Sequence, residues 1–255
     1  MIDAVDAQAP PLPSFAAYNI RFLSLSNSQR DQWTRKLANV KYSVKQYTMT
    51  ALLETHVDGA KADLFFCRHV EGVSNYYASG FAVLVQQEWA SLHRPELHVV
   101  VPDAMVAMTW AVEDTKNFIF FMRLDARSEA TRCQQLVQAT RWGKDRIGEG
   151  DWVGFAGDRN FVYSAEERQS SSRRAWRPSE RMNREWNGWL QTIGAQVVPQ
   201  AEFTWGRVLS NGSDTASWTY EVLNVVGSSI VSSEHGMQAF ARRADDVLHP
   251  RVSDH

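Results

Sequence analysis

Apolar residues recur along this chain in two periods, and the switches between them predict its elements. Residues 15–20 (FAAYNI) read as a short strand. Over 28–46, Trp33, Leu37, Val40 and Val44 fall three and four positions apart, which places them on one face of a helix. A β-rich run, 47–53, is closed by Glu54-Thr55-His56, and further strand runs cover 81–85, 97–101, 105–112 and 118–124. Helical spacing returns over 128–146, with Cys133, Leu136, Val137 and Trp142 along it. The strand run 152–156 leads into Gly157-Asp158-Arg159-Asn160. The Arg- and Ser-rich stretch 164–180 reads as an exposed loop. Met182, Trp186, Trp189 and Leu190 share one face of a helix over 181–194, with Gly194 at its stop position. Residues 203–205 and 218–226 read as strands and 231–244 as a helix.

This order bears on architecture. A doubly wound parallel sheet needs a helix after nearly every strand, and the spacing supplies only two or three widely separated helices. An α/β fold of two packed mixed sheets with helices outside fits better. Residues 1–13, with Pro10, Pro11 and Pro13, read as a flexible leader, and 14–255 as one domain.

Composition narrows the class. With 44% hydrophobic and 22% charged residues among 255, the chain is neither disordered nor fibrous. It has no apolar stretch of about 18 residues, so no membrane span is expected. A net charge of −2 means that any phosphate ligand has to be met by a local patch or a metal ion. Cys67 and Cys133 are too few for a disulfide framework and read as buried thiols. The N-terminus lacks the basic flank and apolar core of a secretory signal, which points to an intracellular setting, nucleus or cytoplasm. The ten tryptophans are scattered and read as core and inter-layer filler.

Candidate chemistry sits where predicted strands end. Asn19 follows FAAY, Glu54 follows TALL, Asp158 and Asn160 follow WVGFAG, and Asp254 and His255 close the chain. Carboxylates, amides and a histidine converging on one rim suit a hard divalent cation and a phosphate.

The order of these segments resembles the endonuclease/exonuclease/phosphatase superfamily, and within it the endonuclease domains of non-LTR retrotransposons. Tyr18-Asn19-Ile20-Arg21 is similar to the family's first strand and Leu53-Glu54-Thr55-His56 to its metal-binding "ETH" segment. The run 79–85 (SGFAVLV) resembles "SGGVAILV", and 157–161 (GDRNF) resembles "GDFN". Phe203-Thr204-Trp205 resembles the "TW" strand and Ser253-Asp254-His255 the terminal "SDH". Ser233-Glu234-His235 is a competing terminal pair, set aside because it lies only 13 residues after Glu221, against 33 for Asp254. The family's "LDR" falls on Tyr220-Glu221-Val222 and its "NVHL" on Phe121-Met122-Arg123-Leu124; Phe81 replaces a glycine and Arg159 the Phe of "GDFN".

The resemblance implies a four-layer α/β/β/α sandwich of two mixed sheets with outer helices. It implies a Mg²⁺-dependent (or Mn²⁺-dependent) phosphodiester hydrolase, a DNA endonuclease of retrotransposon type, with RNA as the alternative nucleic acid. Asn19, Glu54 and Asp254 would be the metal residues, and Asp158, Asn160, Glu221, Asp254 and His255 the catalytic ones. Arg123, Arg159, Arg173, Arg174 and Trp176 would meet nucleic acid. Two alternatives stand beside this reading: a catalytically decayed binding module, and a lipid or inositol phosphate phosphatase. The family continues past "SDH" into another strand, so the chain reads as truncated there, part of a longer polyprotein with a reverse transcriptase. The departures together with that end imply impaired activity.

Overall fold

A computed structural model describes residues 13–19, 30–55, 59–170, 177–197, 205–209, 217–221 and 224–228. In chain order the first half runs β1 (Phe15–Asn19), α1 (Arg30–Gln46), β2 (Met49–Leu53), α2 (Gly59–His69), β3 (Val73–Ala78), β4 (Phe81–Gln86), α3 (Gln87–His93), β5 (Glu96–Val101) and β6 (Met105–Val112). The second half runs β7 (Thr115–Arg123), α4 (Glu129–Lys144), β8 (Trp152–Asp158), a single 3-10 turn (Ala165–Glu167), β9 (Arg168–Ser170), α5 (Glu180–Thr192), β10 (Gln196–Val197), β11 (Trp205–Leu209), β12 (Ser217–Glu221) and β13 (Asn224–Ser228).

Two mixed sheets form the frame. One has the order β1-β2-β4-β3, the other β10-β13-β8-β7-β6-β5. Each holds one parallel pair, β1 with β2 and β7 with β8, and is otherwise antiparallel. A third, three-stranded sheet has the order β11-β12-β9.

The period-2 pattern of the strands decides the layering, because successive side chains leave opposite faces. Met49, Ala51 and Leu53 of β2 and Phe81, Val83 and Val85 of β4 pack against Val106 and Met108 of β6, Ile119 and Phe121 of β7, and Trp152 and Ala156 of β8. That is the seam between the sheets. The other face of the first sheet, with Leu52, Ala82 and Leu84, packs on Val40 and Val44 of α1 and Ala62 and Phe66 of α2. The other face of the second sheet, with Phe118, Phe120, Met122, Val153 and Phe155, packs on Cys133, Leu136 and Ala139 of α4 and Met182, Trp186 and Trp189 of α5. The result is the four-layer α/β/β/α sandwich of two mixed sheets with outer helices. Helices α4 and α5 start on serine caps: the Ser128 and Ser179 hydroxyls accept the backbone N–H of Thr131 and Met182, each at 3.2 Å.

Several local expectations are corrected. Five helices are present among the described residues, not two or three. Helix α2 hides in the sequence because Leu64 on its surface is exposed, which blurs the buried Ala62, Phe66, Val70 row. Helix α3 has seven residues and buries only Ala90, too short a signal to read. The run 218–226 is two strands, β12 and β13, in different sheets. The stretch 164–180 is not all loop, since β9 pairs with β12. Cys133 is buried as expected, whereas Cys67 is exposed. Trp110, Trp152, Trp186 and Trp189 are buried in the two cores beside the second sheet. The leader, residues 1–12, and the expected helix over 231–244 lie outside the described residues.

Candidate active site

The apolar seam between the sheets ends in polar residues at one rim. On β7, Ile119 and Phe121 face the seam, so Arg123, two residues on, continues that face; on β8, Asp158 does the same after Ala156. These two strands are parallel, and Arg123 and Asp158 are direct register partners. From the opposite sheet comes Glu54. Alternation along β2 would aim it away from the seam, toward the helices. Its backbone instead turns at a positive φ of 58°, and its carboxylate meets Arg123 across the seam. Arg123 Nε lies 2.6 Å from Glu54 Oε1. The contact is ionic, without the alignment of a linear hydrogen bond. Glu54 is 12% exposed and Arg123 29%. The bend is held from behind: Thr55 donates both its backbone N–H (3.0 Å) and its hydroxyl (3.1 Å) to the Gly80 carbonyl in the β3–β4 turn.

Asp158 is 2% exposed. Its Oδ1 accepts the backbone N–H of Asn160 at 2.9 Å, so the carboxylate closes a tight turn at the strand end. Asn160 sits at a positive φ of 52°, a conformation its short amide tolerates, and its Nδ2 donates to the Leu124 carbonyl at 2.8 Å. Leu124 N–H in turn donates to the Asp158 carbonyl at 2.9 Å, extending the β7–β8 ladder by one rung. Gly157 makes this close approach feasible: a Cβ there would stand 2.0 Å from the Met122 carbonyl oxygen.

Arg159 lies differently from the expectation. It was to meet nucleic acid, yet it is 1% exposed. Its guanidinium Nη2 pairs with Glu167 Oε2, and its Cζ lies 5.1 Å from the centre of the Phe161 ring and 6.0 Å from that of Trp186. Burial pulls the guanidinium below its ordinary pKa, and the Glu167 carboxylate opposes that pull. Glu167 also accepts the Tyr163 N–H at 2.8 Å. Arg159 thus ties the Asp158–Asn160 turn to the 165–170 segment. Glu167 had no signal in the sequence that set it apart from a solvated acid.

Asp125 is a second residue that sequence reasoning passed over. Its carboxylate accepts the N–H groups of Ser128 (2.6 Å) and Arg127 (2.8 Å), at the turn that launches α4. The Ser128 bond is the main reason that its carboxyl is held below the usual carboxylate range. A group with a depressed folded-state pKa adds stability above its unfolded value of about 4, and that contribution is lost as pH falls below it. Asp125→Ala should therefore lower Tm by about 2–4 °C at pH 7, the scale of losing about 1 kcal/mol. The gap to wild type should narrow progressively as melts are repeated at pH values falling below about 4; a gap independent of pH would mean that the carboxylate charge is not its source.

Of the expected site residues, the structure thus brings together Glu54, Arg123, Asp158 and Asn160. The Asn19 backbone joins them, since it pairs in register with Leu53 beside Glu54. Glu221 ends β12, where its backbone pairs with Arg168 of β9 and Trp205 of β11. Arg173, Arg174, Trp176, Asp254 and His255 lie outside the described residues. Among the described residues no cluster of three or more His, Cys, Asp or Glu side chains is present. No helix among them is long and apolar enough to cross a membrane.

No protein-family model and no curated protein matches the chain. Solved structures do. A β-hairpin deletion mutant of the beta toxin of Staphylococcus aureus superposes with a TM-score of 0.55 at 12% identity, covering 95% of this chain and 96% of that one. The mannosyl-6-phosphatase of Bacteroides thetaiotaomicron gives 0.52 at 12% identity, covering 86% and 85%. TDP2 of D. rerio, complexed with a single-strand DNA product, gives 0.50 at 11% identity, covering 84% and 82%. At such identities the likeness speaks for the fold alone: the backbone of this chain is laid out as in these three proteins.

Proposed function

We propose that the chain is a divalent-metal-dependent phosphodiester hydrolase, a DNA endonuclease of the kind found in non-LTR retrotransposons. One observation carries this reading: a half-buried carboxylate, Glu54, holds a cation at the rim of the inter-sheet seam, and a second, buried carboxylate, Asp158, is the register partner of that cation. The cation now at that position is the chain's own, the Arg123 guanidinium. Hard oxygen donors around such a position suit Mg²⁺, with Mn²⁺ as its substitute. Glu54 would hold the ion, assisted by Asn19 and Asp254. When bound, the metal neutralises charge that builds on the phosphoryl and leaving oxygens.

The chain's own groups have the remaining work. Asp158, fixed by the Asn160 N–H, orients the attacking water and takes its proton. The Asn160 amide spends one N–H on Leu124; the other is assigned to a phosphate oxygen. His255 passes a proton toward the leaving oxygen, with Glu221 as its supporting acid. Arg123, Arg173 and Arg174 neutralise backbone phosphates, and Trp176 stacks on a base. A structural neighbour that carries a DNA product favours nucleic acid, and another that is a sugar phosphatase keeps the phosphomonoester reading open. The third reading, a catalytically decayed binding module, takes the same Arg123 as a permanent replacement for the metal.

A nicking assay on supercoiled plasmid separates the three. Nicked circles with Mg²⁺ and none with EDTA are expected. Equal nicking in EDTA would reject the metal. Release of phosphate from inositol or lipid phosphates with intact plasmid would make the chain a phosphatase. Retarded but uncut DNA would make it a binding module.

A further inference from the structure

We propose that Arg123 is a tethered counter-cation: it competes with the divalent metal for Glu54, and a substrate phosphate draws it away, so that metal and phosphodiester bind cooperatively. This rests on the reading of Glu54 as the metal residue. Arg123 ends β7, and its Nε already lies beside Glu54 Oε1. A guanidinium stays charged at every accessible pH, so it cannot give way by losing a proton. A metal ion arriving at Glu54 either displaces it or accepts a like charge beside it. Displacement needs a new anion for the guanidinium, and its planar fork matches the oxygens of a phosphate. The Arg123 side chain is 29% exposed, with its Nε buried against Glu54, so it reaches solvent beside the site and not through the core. The two acids nearest in sequence and register, Asp158 and Asp125, are already engaged in turns, Asp158 with the Asn160 N–H and Asp125 with the N–H groups of Ser128 and Arg127. Coupling between two ligands is reciprocal, so whatever phosphate does for metal, metal does for phosphate.

The test uses the full chain and no turnover. Mn²⁺ uptake is followed by the loss of the free-ion electron paramagnetic resonance signal, with and without dimethyl phosphate, a phosphodiester too stable to hydrolyse during the titration. Wild type, Arg123→Gln and Glu54→Gln are compared. Arg123→Gln should bind Mn²⁺ about 2- to 5-fold more tightly than wild type, the scale of releasing one partly exposed ion pair. Dimethyl phosphate should tighten Mn²⁺ binding in wild type and leave the variant unmoved. Should Arg123→Gln not fold by circular dichroism, Arg123→Met keeps the apolar stem and is read the same way. Unchanged or weaker Mn²⁺ binding in the Arg123 variant, or no effect of dimethyl phosphate on wild type, overturns the proposal. If Glu54→Gln still weakens binding in that case, the metal reading survives the failure. If neither wild type nor the Arg123 variant takes up Mn²⁺, the metal reading falls and the counter-cation falls with it.

Discussion

Glu54→Gln should lower the Mg²⁺-dependent nicking rate at least 100-fold. The substitution keeps the shape of the side chain and removes its charge, which is what an Mg²⁺ ligand and a partner for Arg123 both require. Loss of one group that stabilises developing charge in an active site costs on the order of 100- to 1,000-fold in rate. The cost to the fold should be far smaller. The pair is partly exposed, at 12% and 29%, and such pairs contribute about 0–1 kcal/mol. Rate and stability are therefore predicted to separate: a collapse in nicking with Tm within about 3 °C of wild type. An unchanged rate would remove Glu54 from the site. A rate loss matched by a large fall in Tm would mark Glu54 as a structural residue of the seam.

The fold was legible wherever a strand is buried on both faces or a helix lays a full row on a sheet. The run 81–85 is one such strand, with Phe81, Val83 and Val85 in the seam and Ala82 and Leu84 under the helices. Helix α5 is readable from Met182, Trp186 and Trp189 alone, all buried. Edge strands without an apolar run were not legible. Strand β3 lies at the end of its sheet, and its Ser74 and Asn75 break the apolar pattern that a central strand would keep. Strand β9 has three residues and exists because β12 offers a partner, which no local pattern announces.

The candidate site was half legible for a related reason. Strand ends could be found, so Glu54 and Asp158 could be named. What those residues touch depends on register and on stacking between sheets. Arg123 and Glu54 are 69 positions apart, and they meet only because β7 and β2 face one another across the seam and a positive φ swings Glu54 inward. Alternation alone puts Glu54 on the wrong face. Arg159 shows the converse failure. In sequence it is a basic residue in a polar turn, which usually means solvent. In the structure Phe161, Trp186 and Glu167 enclose it, and the acid eight positions on makes that burial tolerable.

Gly157→Ala should unfold the second sheet or come close to it. The residue sits at a φ of 146°, which L side chains rarely adopt, and its missing Cβ leaves room for a backbone. An alanine methyl there would lie 2.0 Å from the Met122 carbonyl oxygen, 2.8 Å from its nitrogen and 2.9 Å from its carbonyl carbon. None of these is a flexible side-chain end that can swing aside. Met122 is the register partner of Gly157 in the parallel β7–β8 pair, so relief requires the two central strands to part. Parting them breaks the ladder that sets Arg123 beside Asp158. Strain at a special backbone conformation combined with a backbone clash belongs to the rare substitutions that cost about 4 kcal/mol or more. For a chain of this size that is a fall in Tm of roughly 10 °C or more, or recovery only as aggregate. Gly188→Ala is the matched control. It lies within α5, with nothing within 4 Å of the added methyl. There alanine should be neutral or stabilise by up to about 1 kcal/mol, because glycine is the poorer helix former. Thermal melts of the two variants side by side check the claim. Equal, small shifts would show that β7 and β8 are farther apart at Gly157 than the structure has them, and with that the register that places Asp158 next to Arg123 would be wrong.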